Sequence, residues 1–222
     1  MKINEIMKTK LVWGFVIFML LTFKLEAKPR FGNAVLFNKD WKFILSDVKD
    51  GASSEAIDAK WRSLNLPHDW SIEGTYSPDK ASCTGFLPGG IGWYRKTFEV
   101  PKTQKDKKVY IYFEGVYNKS EVFINGKSVG KRPNGYISFM YDLTPYIKYG
   151  EKNVISVRVD HSEERDSRWY TGSGIYRDTY LVYASPVHIN LWGVYSKATN
   201  ISDAKANVEV ETTIKNTTSS LS

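Results

Sequence analysis

The sequence predicts an all-β protein built as an antiparallel sandwich, and three observations carry that prediction. Short runs rich in β-branched and aromatic residues recur at roughly 10–20-residue spacing, each closed by Gly, Pro or Asn. No segment between residues 28 and 185 keeps a 3.6-residue apolar period for the three turns a helix needs. Aromatic side chains make up 14% of the 222 residues, a payload that suits pleated, half-buried surfaces and also sugar-stacking ones.

The strands follow in chain order. Residues 54–63 offer one or two helical turns at most. Gly89-Gly90-Ile91-Gly92 lets a loop turn before a strand over residues 93–100. A phosphate cradle would need a helix after those glycines, so no nucleotide site is predicted. Residues 109–113 form a strand ended by Glu114-Gly115. Residues 121–124 then meet Asn125-Gly126, the strongest two-residue hairpin signal, and return over 127–130. Strands over 136–141, 153–160 and 179–183 complete the set. In the middle one, Ile155, Val157 and Val159 face opposite to Val154, Ser156 and Arg158. Ser185-Pro186 breaks the pattern, and residues 187–195 and 206–215 read as two further strands. Two strands cannot bury a core by themselves. A second sandwich is therefore expected to begin near 187 and to be cut short, and a cut near Ser185 is expected to improve solubility.

Composition narrows the function. Hydrophobic residues at 42% and charged residues at 25% are ordinary globular values, which exclude a disordered or collagen-like chain. The net charge is +7, but residues 1–27 hold four Lys and two Glu, leaving about +5 elsewhere with both signs interspersed. That pattern is a solvated surface, and nucleic acid is not an expected partner. The single cysteine, Cys83, excludes an intrachain disulfide and a Cys-based zinc site. Lys2, Lys8 and Lys10 precede an apolar run over 11–23, and Ala27 is a small residue suited to cleavage. This is the layout of a secretory signal peptide. The run falls short of the roughly 20 apolar residues of a membrane span. Residues 28 onward are expected to be exported and soluble, without a membrane partner.

Two segments hold groups that could carry chemistry. Leu66-Pro67-His68-Asp69-Trp70 contains a His-Asp pair, but neighbours on an extended segment point to opposite sides. It reads as a Pro-fixed loop with a Trp plug and a capping Asp. Residues 160–170 (DHSEERDSRWY) bring carboxylates, guanidinium and indole together. Those are the groups a hexose asks for: carboxylate for paired hydroxyls, guanidinium for ring substituents, indole for the apolar sugar face. A solvated loop of mutually paired charges is the alternative. Nothing fixes a carboxylate pair at the separation glycoside cleavage requires.

Taken together, the motifs resemble a known family. They are Leu66-Pro67-His68-Asp69-Trp70, Gly92-Trp93-Tyr94-Arg95-Lys96-Thr97-Phe98 and Phe113-Glu114-Gly115-Val116-Tyr117. Val122-Phe123-Ile124-Asn125-Gly126-Lys127, Tyr136 and a run from Asp166 through Trp169-Tyr170 to Gly174-Ile175-Tyr176-Arg177 complete them. Over about residues 33–185 the chain resembles the N-terminal sugar-binding domain of glycoside hydrolase family 2, most of all exported Bacteroidetes β-galactosidases. The resemblance implies a signal peptide (1–27), a jelly-roll, galactose-binding-like β-sandwich (28–185) and the first strands of a truncated immunoglobulin-like sandwich (186–222). Members continue into a (β/α)₈ barrel that carries both catalytic glutamates. Asn4-Glu5, the only Asn-Glu pair here, lies in the signal segment, so no catalytic residue is expected in this chain.

What the resemblance transfers is a substrate contact. Asp166 matches the aspartate that reaches across to the barrel and binds sugar hydroxyls. Arg168 and Trp169 share its motif and are expected to line the same pocket. No metal site and no cofactor carry over. The implied function is the non-catalytic portion of a retaining β-glycosidase acting on a β-galactoside or related glycoside, with the barrel domain as partner. A stand-alone carbohydrate-binding module and a ligand-free scaffolding sandwich are the alternatives.

Overall fold

The alternating runs assemble into two facing antiparallel sheets. The computed structural model describes residues 29, 31–56, 58–163 and 170–218. From edge to edge, the larger sheet orders β3 (Arg62–Leu64), β2 (Trp41–Leu45), β4 (Gly90–Glu99), β9 (Lys152–His161), β6 (Ser120–Ile124) and β7 (Lys127–Arg132). The smaller orders β1 (Asn33–Leu36), β10 (Thr179–Ala184), β5 (Lys108–Phe113) and β8 (Phe139–Asp142). Next in the chain, β11 (Val187–Thr199) and β12 (Asn207–Asn216) form a two-stranded sheet of their own. Among the described residues no helix is long and apolar enough to cross a membrane.

The core lies between the two larger sheets. Trp41, Phe43, Tyr94 and Phe98 from one meet Ile111, Phe113, Phe139 and Leu181 from the other in a single buried cluster. Each such side chain contributes about 1.5–3 kcal/mol by leaving water. β4 and β9 pair along their whole length, from Gly90 opposite His161 to Glu99 opposite Lys152. The expected alternation of β9 holds, with Ile155, Val157 and Val159 fully buried.

The inner strands of the smaller sheet, β5 and β10, are buried on both faces. Val109, Ile111 and Phe113 join the main core, while Tyr110 and Tyr112 point outward to a second cluster with Phe31, Tyr180 and Val182. That outer face is partly covered by the β11–β12 hairpin. Leu191 packs on the second cluster, the His188 ring stacks 6.2 Å from Phe31, and Lys215 lies 5.4 Å from the Tyr110 ring centre. Strands covered on both sides read as unbroken apolar runs, which is how residues 109–113 and 179–183 stand in the sequence. The hairpin's far face, with Trp192, Val194, Val208 and Val210, remains exposed.

Three local expectations change. The described residues of 54–63 form no helix, because the buried Arg95 guanidinium donates to the carbonyls of Ser53 (2.5 Å) and Ser54 (2.7 Å) and pairs with Asp58 at 3.3 Å. The segment is tied down as turns before β3. β8 starts at Phe139 rather than 136, since the Asn134 side chain accepts from the amides of Tyr136 (2.8 Å) and Ile137 (3.0 Å) and holds a turn there. β1, β2 and β3, at 4, 5 and 3 residues, are too short for a sequence signal and are made by their partners. The Asn125-Gly126 turn forms as expected, with φ of 48° and 81°.

Candidate functional site

The site is a loop whose two ends are clamped at the rim of the sandwich. β9 delivers one end, Asp160 to Glu163, and the chain returns at Tyr170. Asp166, Arg168 and Trp169, expected to bind sugar, lie outside the described residues. What the structure defines is the chain on either side of them, up to Glu163 and from Tyr170.

The returning stretch 173–175 is stitched in from both sides. The amides of His68 and Trp70 donate to Ile175 O (2.8 Å) and Ser173 O (3.1 Å), while Tyr117 and Gly174 exchange backbone bonds at 2.9 and 2.8 Å. Gly174 sits at φ 118°, and a Cβ there would come within 2.2 Å of the Tyr94 hydroxyl. Only glycine fits.

Asp69 is the clasp. One carboxylate oxygen accepts the amides of Ser71 (2.9 Å) and Ser173 (2.8 Å), and the other accepts the Tyr170 hydroxyl. Burial, followed by donation to Asp69, pushes the Tyr170 phenol well above its ordinary value, so it remains a donor. A Cβ on Gly172 (φ 75°) would stand 2.8 Å from the carboxylate. Asp69 therefore caps its own turn through the Ser71 amide, and it also ties in the chain about 100 residues away at Tyr170 and Ser173.

Behind the clasp runs a buried polar chain. Ser71 Oγ donates to Pro88 O at 2.7 Å, because a carbonyl can only accept. Ser173 Oγ, 2.5 Å from Ser71 Oγ, must then donate to it, and His161 Nδ1, 2.6 Å away, must donate to Ser173. Each hydroxyl has one hydrogen, so the chain fixes the proton on Nδ1 of His161.

His68 points to the other side, as adjacent residues should. The His68 ring lies between the Tyr94 hydroxyl, 2.6 Å from Nδ1, and the Arg62–Glu73 pair, with Arg62 Nη2 at 2.9 Å and Glu73 Oε1 at 3.3 Å from Nε2. Burial holds the imidazole below its ordinary pKa, keeping it neutral. Trp70 is the plug: it is buried, stacks 5.7 Å from Phe43 and donates from its indole to Gly89 O at 3.1 Å.

The leading end is fixed as firmly. Ser162 donates from both amide and hydroxyl to Asp160, whose carboxylate also takes Arg158 at 3.1 Å. Glu163 pairs with Lys119. The Tyr117 ring packs 5.1 Å from His161. None of Ser71, Ser173 or His161 stood out in the sequence, since their partners come from distant segments and carry no local spacing. The arrangement fixes the chain at 160–163 and at 170–175, and among the described residues it offers no acid/base pair.

Comparison with known proteins agrees with this architecture. Residues 37–186 match the family model described as glycosyl hydrolases family 2, sugar binding domain. The β-galactosidase BoGH2A of Bacteroides ovatus is 51% identical over 182 residues, covering 81% of this chain and 21% of that protein. A putative β-glucuronidase of Formosa agariphila is 45% identical over 181 residues, covering 81% of this chain and 17% of the relative. The crystal structure of a β-glycosidase from Bacteroides vulgatus superposes with a TM-score of 0.79 at 52% identity, covering 83% of this chain and 24% of that one. The chain thus spans about a fifth of the length of the curated relatives it matches. The chain belongs to glycoside hydrolase family 2, with residues 37–186 as its sugar-binding domain.

Proposed function

We propose that this chain works within a longer, exported retaining β-glycosidase, β-galactosidase-like in substrate, as the non-catalytic part that completes the sugar pocket. The observation that carries the reading is the clasp. Asp69, Ser173 and His161 seat both ends of the segment that bears Asp166, Arg168 and Trp169. A loop held at both ends loses little conformational freedom on binding, so its contacts act with less entropic cost.

In the complete enzyme, two glutamates of the barrel supply the chemistry. One attacks the anomeric carbon while the other protonates the leaving oxygen, and water then hydrolyses the glycosyl-enzyme. Asp166 binds hydroxyls whose hydrogen bonds strengthen in the transition state, with Arg168 and Trp169 lining the same pocket. Export follows from the charged and apolar pattern of residues 1–27, with cleavage after Ala27. Residues 186–222 are the first strands of the second, immunoglobulin-like sandwich.

The test begins with the reading frame beyond the codon for Ser222. The protein it encodes should hydrolyse nitrophenyl β-galactoside, and Asp166→Ala should lower kcat/KM by roughly 100-fold. The 222-residue chain should hydrolyse nothing. Turnover by the pure chain, or full activity in the Asp166 variant, would overturn the assignment.

A further inference from the structure

The chain holds two Asn-Gly pairs, Asn125-Gly126 and Asn134-Gly135, and the fold treats them in opposite ways. Asparagine is a thermolabile residue. Its weak point is the side-chain carbon Cγ, which the backbone nitrogen of the next residue can attack. A following glycine has no Cβ to shield that nitrogen. What holds the side-chain amide therefore decides which pair can react.

Asn125 is locked. Its Nδ2 donates to Tyr146 O at 2.8 Å and to Asn153 Oδ1 at 2.9 Å, while its Oδ1 accepts the Val154 amide at 2.9 Å. Asn153 is fully buried and is itself bonded to Lys148 and Glu151. Three bonds to two other segments must break before Cγ can turn toward the Gly126 nitrogen.

Asn134 is exposed, on the turn between β7 and β8. Its Oδ1 accepts the amides of Tyr136 (2.8 Å) and Ile137 (3.0 Å), and its Nδ2 has no partner among the described residues. Two amide donors converging on one carbonyl oxygen are the arrangement that stabilises an oxyanion when the carbon is attacked. The Gly135 amide makes no hydrogen bond among the described residues. Gly135 is buried against Tyr117, where a Cβ would come within 2.2 Å of the ring, so its nitrogen is fixed in place beside the activated carbonyl. One asparagine has its leaving amide tied; the other has its carbonyl polarised and its leaving group in water.

We propose that Asn134 is a self-modification site that takes water as its co-reactant and yields aspartate and isoaspartate. The Gly135 nitrogen loses its proton to hydroxide and bonds to Asn134 Cγ, with the negative charge on Oδ1 facing the Tyr136 and Ile137 amides. The Cγ–Nδ2 bond then breaks, and the nitrogen takes up a proton from water and leaves as ammonia. Water opens the resulting five-membered imide at either carbonyl. No oxidant or reductant is involved. Aspartate keeps the turn, since its carboxylate still accepts both amides. Isoaspartate inserts a methylene into the main chain and displaces Gly135, whose carbonyl accepts the Tyr176 hydroxyl at 2.9 Å. It also displaces Tyr136, whose ring packs 5.3 Å from Tyr117, the residue that exchanges backbone bonds with Gly174. Ageing at this one turn thus loosens the seat at 173–175, whatever substrate the complete protein takes.

The experiment ages the 222-residue chain in mildly alkaline buffer and maps both sites by peptide mass spectrometry, with a parallel sample in urea. In the folded chain Asn134 should convert about tenfold or more faster than Asn125. In urea, where neither side chain keeps its partners, the two rates should approach each other. Amide hydrogen exchange at Gly174 should become about fivefold faster in the isoaspartate fraction. It should stay slow in fresh Asn134→Asp and in aged Asn134→Ser, which keeps an acceptor for the turn and has no amide to lose. Equal rates at the two sites in the folded chain, faster conversion at Asn125, or no conversion at Asn134 would overturn the site. Exchange at Gly174 unchanged by isoaspartate would overturn its link to the seat.

Discussion

The carboxylate of Asp69 receives the hydroxyl of Tyr170, 101 positions further along the chain, while its other oxygen takes the amides of Ser71 and Ser173. A residue that reads as a local turn cap is thus also a clasp that ties residues 69–71 to residues 170–173. Asp69→Ala should cost about 2–3 kcal/mol, because it strands two amides and a half-buried phenol. Asp69→Asn should cost about half as much, since its carbonyl can still accept both amides and its NH₂ can donate to Tyr170. Urea unfolding measures both, and amide hydrogen exchange at Tyr170 and Gly172 should speed up in the Ala variant. Equal losses for Asn and Ala would refute the clasp.

The proton order of the buried hydroxyl chain predicts a fixed tautomer. Long-range proton–nitrogen spectra should show His161 protonated at Nδ1, bonded toward Ser173. His161→Phe should cost about 1–3 kcal/mol by leaving Ser173 without its donor. A neutral ring protonated at Nε2 alone would break the argument.

His68 sets a pH limit. Burial lowers its folded-state pKa, so the unfolded chain takes up a proton first as pH falls through about 6.5. Stability from this residue is therefore complete above that pH and declines as pH drops toward the folded value. Glu73, Asp47 and Asp160, whose pKa values are also lowered, add losses only below the ordinary carboxylate range. His68→Gln should flatten urea midpoints between about pH 7 and 5 and leave the acid limb intact. A wild-type midpoint constant across that interval would contradict this.

Gly174→Ala should be among the most damaging single changes. It forces a left-handed φ of 118° on a Cβ that meets the Tyr94 hydroxyl at 2.2 Å and His68 O at 2.8 Å. A loss of about 3 kcal/mol or more is expected by thermal unfolding. Gly85→Ala, whose Cβ meets nothing nearer than 3.7 Å, should cost less despite its φ of 67°.

The hairpin after Ser185 reverses one expectation. Two strands without a core of their own suggested that a cut there would improve solubility. Its near face, however, covers Phe31 and Tyr110 of the four-stranded sheet. A chain ending at Ser185 exchanges one uncovered apolar surface for another. Its melting temperature should fall by about 4–8 °C, with no gain in solubility. A rise in melting temperature would show that the contact contributes nothing.

These cases also show what was legible in advance. The strands at 109–113, 121–130, 153–160 and 179–183 announce themselves because each carries its own alternation, continuous run or turn. The plug of Trp70 was legible too, as a large ring after a proline. The short strands β1 to β3 have no such internal signal and exist only as partners of longer ones. Arg95 overrides the local preference of 54–63 from 41 residues away. The same holds at the site. Asp69 could be read as a cap, but its true partners, and the whole of the Ser71–Ser173–His161 chain, arise from tertiary pairing that no spacing records.

The pairing of 173–175 with both 68–70 and Tyr117 has a kinetic consequence. Contacts 57 positions apart, as between Tyr117 and Gly174, or 107 apart, as between His68 and Ile175, form late, because loop-closure entropy must be overcome before they return any energy. The seat of the loop is therefore among the last parts of the sandwich to be assembled. A partly folded chain has strands but no clasp, and a closed clasp is itself a sign that folding is finished.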